Sequence, residues 1–160
     1  MKLVQAMAVV MVMASSAFAS VYPKGSFESN TAKKKFSYYG GPVIPHARVM
    51  TVFWGDSVNP KIKDAMPNFY KGVVDSTYMD WLSQYNTNVN AVDGRMGTNQ
   101  SIGRGTYGGT FTISPGKVAG TISDEQIQAI LEEQIGKGNL PVATEDTLFM
   151  IHFPAGVKVT

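Results

Sequence analysis

Arg48-Val49-Met50-Thr51-Val52-Phe53-Trp54, closed by Gly55, decides how this chain folds. It is apolar at odd and even positions alike, so an extended strand here leaves neither face for water. Such a strand belongs at the centre of a sheet that helices cover on both sides. Upstream, Tyr38-Tyr39-Gly40-Gly41-Pro42-Val43 supplies a turn into it. Leu148-Phe149-Met150-Ile151-His152-Phe153 is a second run of the same kind. A helix-bearing connection separates the two, which makes them parallel neighbours.

The segments between them fill in the layers. Asn59-Pro60 starts a helix, with Asn capping free amides and Pro at the first helical position. Ile62, Met66, Phe69, Tyr70, Val73 and Val74 recur at helical spacing, and Pro67 predicts a kink or a fresh start within that helix. A second short helix after Asp75-Ser76 carries Tyr78, Trp81, Leu82 and Tyr85 on one side. Asn86 to Gln100 is a long polar loop, a place where function often sits. After the Gly-rich stretch Ser101–Gly109 comes a strand at Thr110–Ser114. Ser123-Asp124-Glu125-Gln126 is a capping box that opens a helix with the stripe Ile127, Ile130, Leu131 and Ile135, ended by Gly136 or Gly138.

Strand, helices, hairpin-like strands, helix, strand is an α/β order. The expected architecture is a layered α/β sandwich with a mixed, mainly parallel sheet and flanking helices. Val157-Lys158-Val159-Thr160 begins an alternating pattern and stops, so the sheet is expected to be incomplete at the C-terminus. Residues 38–160 then form the N-terminal portion of a single domain.

The other end reads as an address. Lys2, the apolar run Leu3–Met13 and Ala17-Phe18-Ala19 have the order of a secretory signal peptide over residues 1–19, with Ser20 as the mature N-terminus. The run is shorter than the ~20 apolar residues of a membrane span, so no transmembrane anchor is expected after cleavage. Residues 20–37 read as a flexible leader. The expected location is outside the cytoplasm, extracellular or periplasmic. The chain has no Cys, so its stability must come from a packed core. Lys and Arg number 14 against 12 Asp and Glu, and the excess sits in the leader at Lys33, Lys34 and Lys35. No nucleic-acid partner is expected from that balance.

Candidate chemistry is sparse. Gly103-Arg104-Gly105-Thr106-Tyr107-Gly108 fits G-x-G-x-x-G, but a β-type sequence comes next where a phosphate site needs a helix. A bulge or tight hairpin accounts for these glycines. His46 and His152 are the only histidines and form no metal-ligand spacing. His152 falls at the C-terminal end of a central strand, where ligands of α/β sheets bind, or else is a hydrogen-bonded core histidine. Asp56 lies just past the other central strand and has the same positional claim. These two are the catalytic candidates. The aromatics Tyr38, Tyr39, Trp54, Tyr70, Tyr78, Trp81 and Tyr85 could stack on sugars, although their spacing suits core positions.

The Tyr-Tyr-Gly-Gly-Pro-Val block and the strand ending Phe53-Trp54-Gly55 resemble the phosphate-induced, Exordium-like family of secreted proteins. The likeness continues in order through Phe69-Tyr70, Trp81 and Tyr85, Ser101-Ile102-Gly103-Arg104-Gly105, Ile122–Ile127, Leu140-Pro141 and Leu148–Phe153. The short signal and compact spacing look like those of bacterial members. The resemblance implies secretion and action at the cell surface or wall, with wall or surface glycans or proteins as partners and no established catalytic activity. Members continue past this point into a Cys-containing segment, where some bacterial relatives carry a His-Glu helix similar to that of zinc peptidases. The alternative reading is therefore the N-terminal half of an exported zinc-dependent hydrolase. No cofactor is evident in the chain itself, and zinc enters only with a region beyond Thr160.

Overall fold

A computed structural model describes residues 11–12, 36–116 and 120–160. The signal-peptide and leader expectations lie outside these residues, apart from Met11, Val12, Phe36 and Ser37. The elements are β1 (Met11–Val12), β2 (Arg48–Trp54), α1 (Pro60–Val74), α2 (Thr77–Leu82), a 3-10 turn (Ser83–Tyr85), β3 (Thr106–Ile113), β4 (Thr121–Ile122), α3 (Asp124–Gly136), β5 (Thr147–His152) and β6 (Lys158–Val159). The main sheet has the order β1-β5-β2-β3, and β4 pairs with β6 in a second small sheet. Every one of these pairs is parallel. The protein is an α/β fold, with β2 in the middle and β5 its parallel neighbour.

The two faces of β2 face different helices. Met50, Val52 and Trp54 join Phe149 and Ile151 of β5 in a core closed by Ile127 and Leu131 of α3. Val49 and Met150 pack on the other side with Tyr70 and Val74 of α1. Fully burying each such side chain contributes about 1.5–3 kcal/mol. Both helices are built as their sequences dictate. Asn59 caps α1 by accepting from the Lys61 amide at 2.9 Å. Ser123 and Gln126 close the capping box of α3 with reciprocal bonds of 3.3 and 2.9 Å. Gln134 is buried on the same side as Leu131, its side-chain oxygen accepting from the Asn139 amide group at 2.9 Å.

Some sequence expectations change. Helix α1 runs through Pro67 as one helix, which removes the fresh start expected there as the alternative to a kink. Its buried side, set by Tyr70 and Val74, holds the helix on the sheet, while Phe69 turns outward and is exposed. The strand predicted at Thr110–Ser114 begins four residues earlier, at Thr106. It is no hairpin arm, because its partner is β2, far upstream.

The glycines explain how β3 reaches that position. A Cβ on Gly105 would stand 2.0 Å from the Ala47 carbonyl oxygen, so only glycine lets the two backbones meet. Further along, Val49 pairs with Tyr107 but Met50 with Gly109, which leaves Gly108 as the extra residue of a bulge. The long loop before β3 is tied down as well. The Gln100 side chain accepts from the Val43 amide at 3.0 Å and donates to the Val43 carbonyl at 2.9 Å. That clamp fixes the Gly-Gly-Pro turn to the loop. Substituting Gly105→Ala is expected to destabilise the fold by about 3 kcal/mol or more through backbone overlap. Gly72→Ala, exposed in α1 with nothing within 4 Å of the new methyl, is expected to stabilise it by about 0.5–1 kcal/mol. Urea denaturation of the two variants checks both signs.

Candidate functional site

The carboxyl ends of β2 and β5 bring Phe53 opposite His152 in register. Both side chains face α1, because they alternate with residues packed on α3. The His152 ring lies 5.6 Å from that of Phe53 and 5.9 Å from that of Tyr70 on α1. Tyr70 Oη and His152 Nε2 share a hydrogen bond of 3.2 Å. Both residues are buried. The helix stripe that carries Tyr70 and the strand alternation that carries His152 are separately legible, but their meeting needs the tertiary fold.

Burial sets the charge state of this pair. Desolvation lowers the His152 pKa from its ordinary value and raises that of Tyr70, to which nearby Tyr107 adds. Both groups are therefore neutral at pH 7. If Nε2 accepts from Tyr70, Nδ1 carries the ring proton; if Nε2 donates, Nδ1 is the acceptor. The pair can hold or relay one proton. Next to it, Tyr107 donates to buried Thr51 at 3.0 Å, a second hydroxyl pair on the same face.

Asp56 reaches the same end of the sheet but not the same group. Its carboxylate is 93% exposed and lies 3.8 Å from Lys63 Nζ, which donates to the Asp56 carbonyl at 3.0 Å. Lys63 Nζ also stands 5.8 Å from the centre of the Phe53 ring. Lysine and phenylalanine thus intervene between the two catalytic candidates. His46 is elsewhere, exposed, with Nδ1 3.1 Å from the Arg104 carbonyl oxygen. Among the described residues no three His, Cys, Asp or Glu side chains gather to hold a metal ion.

Three amides of the Gly-rich segment are already spent on backbone carbonyls. The Gly103, Gly105 and Thr106 amides donate to Pro45, Val74 and Ala47 carbonyls at 2.8, 2.8 and 2.9 Å. Arg104 is engaged too. Its Nε and Nη2 grip the Asp80 carboxylate at 2.9 and 2.8 Å, and Nη1 reaches Asp75 at 3.2 Å. Those bonds lower the Asp80 pKa. A cleft of about 640 Å³ opens beside this segment between α1 and the start of β3, lined by Asn68, Lys71, Asp75 and Tyr107 among others.

Two features escaped the sequence reading. Trp54 is buried against Phe153, ring centres 4.8 Å apart, and its indole N–H has no partner among the described residues. An unmet buried donor costs about 1–3 kcal/mol. More consequential is α2, whose aromatics suit a core by spacing but point outward. Met79 is the buried residue of this helix, and Tyr78, Trp81 and Tyr85 are all exposed. Asp80, gripped by Arg104, fixes which side of the helix faces the body of the domain.

No family model matches the chain, and no curated protein or solved structure matches it either. Among the described residues no helix is long and apolar enough to cross a membrane.

The sign of the pH dependence is set by His152. Its folded pKa lies below the unfolded value of about 6.5, so between the two the unfolded chain binds the extra proton. Stability is then complete above pH 6.5 and falls as the pH drops toward the folded pKa. The lowered carboxylates Asp80, Asp93 and Glu125 act only near and below pH 4. Denaturation midpoints measured from pH 7 to pH 5 should decline for the native chain. His152→Phe should remove most of that slope, at a lower overall stability because Tyr70 loses its partner.

Proposed function

We propose that this chain is an exported, Exordium-like protein that acts at the cell surface or wall. The observation that carries the reading is the N-terminal order of Lys2, Leu3–Met13 and Ala17-Phe18-Ala19, followed from Tyr38 by an α/β domain. The motifs that resemble the family fall on successive working parts of that domain. The Gly-Gly-Pro turn is clamped by Gln100, the Phe-Trp-Gly strand is its centre, and the Ser-Asp-Glu-Gln box caps α3. An outward aromatic face suits a protein that meets its partner at a surface rather than in a closed pocket.

The alternative, an exported zinc hydrolase, would draw its ligand set from beyond Thr160, since a catalytic zinc takes three protein ligands. Stoichiometric zinc in a longer form of the protein would move the assignment there.

Expression of the whole precursor in a bacterium tests export. Sequencing of the released protein should begin at Ser20-Val21-Tyr22. Replacing Ala17 and Ala19 together by leucine should leave the precursor uncleaved. An unprocessed native chain retained in the cytoplasm would overturn the reading.

A further inference from the structure

We propose that the free edge of β3 pairs with the same edge of a second copy of this chain, joining two sheets about a two-fold axis at Thr112. In the order β1-β5-β2-β3, β3 has β2 on one side and no strand on the other among the described residues. Which of its backbone groups face the open side follows from one bond. The Ile113 carbonyl accepts from the Gly55 amide at 2.8 Å, so Ile113 turns its backbone groups toward β2. By strand alternation Phe111 does the same, while Thr110, Thr112 and Ser114 turn theirs away. Ser114 stays extended because Pro115 follows it. Among the described residues the amides and carbonyls of Thr110, Thr112 and Ser114 find no backbone partner.

A row of unmet amides and carbonyls is matched by another extended backbone. Natural edges are commonly guarded by Lys, Pro or another charge, and Thr106–Ser114 contains none of these. The bulge at Gly108 does interrupt the strand, which confines the usable edge to the residues beyond Gly109. The lack of charge also selects the occupant. A strand that meets its own copy sets like charges against one another near the axis, a penalty that β3 escapes in every register. An acidic or basic partner segment would find no counter-charge on it.

Two antiparallel copies gain most when Thr112 faces Thr112. Thr110 then lies opposite Ser114 of the second copy, and every outward residue sits in a hydrogen-bonded pair, with about six bonds in all. Moving the axis to Phe111 sets Ser114 opposite Gly108 in the bulge, and moving it to Ile113 sets Thr110 opposite Gly116, past Pro115. The side chains favour the same register. Thr110 and Thr112 are exposed on the α1 side, where the Thr110 hydroxyl lies 2.5 Å from that of Tyr107. There the axis creates Thr–Thr and Thr–Ser pairs. On the other side Phe111, half-buried against the core under α3, comes opposite Ile113 of the second copy. Both kinds of pair are favourable across antiparallel strands.

Sedimentation velocity of the purified full chain in the micromolar range should show a dimer exchanging with monomer. Thr112→Lys sets two like charges on the axis and should weaken the dimer at least about tenfold, with the circular dichroism spectrum unchanged. The chain has no Cys, so single cysteines report the register. With a two-carbon bis-methanethiosulfonate linker, Thr112→Cys should cross-link to its own copy. Thr110→Cys should not, because its two copies stand about 13 Å apart along the pairing at about 3.4 Å per residue. Mixed with Ser114→Cys, it should give a cross-linked heterodimer.

A chain that sediments as a monomer throughout that range would overturn the proposal, as would a dimer that Thr112→Lys leaves intact. Equal cross-linking of Thr112→Cys and Thr110→Cys would remove the register and the two-fold pairing with it. A dimer lost in Trp81→Ala but kept in Thr112→Lys would move the interface to α2 and overturn it too.

Discussion

A strand hydrogen-bonded to parallel neighbours on both edges, with apolar side chains on both faces, has no contact with water to give up. β2 is such a strand, between β5 and β3, and the rest of the domain is organised by covering it. One face requires α3 and the other α1, and each parallel neighbour requires a crossover long enough to return to the same end. The connection from β2 to β3 contains α1, α2 and the clamped loop; that from β3 to β5 contains α3. Every helix is thus either a cover for β2 or part of the route to its next neighbour.

That constraint also governs the glycines. Gly105 comes too close to Ala47 for a side chain, and Gly108 is extruded as a bulge beside Met50. A pattern that resembles a phosphate loop is here a device for laying β3 tightly along β2. The amides of Gly103, Gly105 and Thr106 are bonded to backbone carbonyls rather than left for an anion. The same spacing of glycines therefore serves two unrelated ends, and only the next element of the chain, strand or helix, separates them.

Much of this was legible because it rests on local rules. The apolar run at Arg48–Trp54, the Asn59-Pro60 start and the Ser123–Gln126 box each carry their own signal, and each forms as its residues imply. The outward face of α2 was not legible, since Tyr78, Trp81 and Tyr85 have the periodicity of a buried stripe. Periodicity shows that a helix has two sides; it does not show which side the domain takes. Here Arg104, from a distant segment, settles the matter by gripping Asp80. The Tyr70–His152 bond was invisible for the same reason, joining residues 82 positions apart. Asp56 and His152 were correctly placed at the sheet's carboxyl end, but Lys63 and Phe53 stand between them.

Two polar devices, the Tyr70–His152 pair and the Arg104 fork, fix elements of the domain against one another. An enzyme needs reactive groups converging on a sheltered point, with pKa values set near the working pH. The buried Tyr70–His152 pair is sheltered, and desolvation keeps both groups neutral. Its physical effect is to cross-link α1 to the carboxyl end of β5. The Arg104 fork is exposed and permanently charged, and its effect is again to fix one helix against another segment. Both devices hold surfaces still. One of the surfaces they hold is the outer side of α2, where Tyr78 and Trp81 are exposed, with Tyr85 exposed on the 3-10 turn that follows.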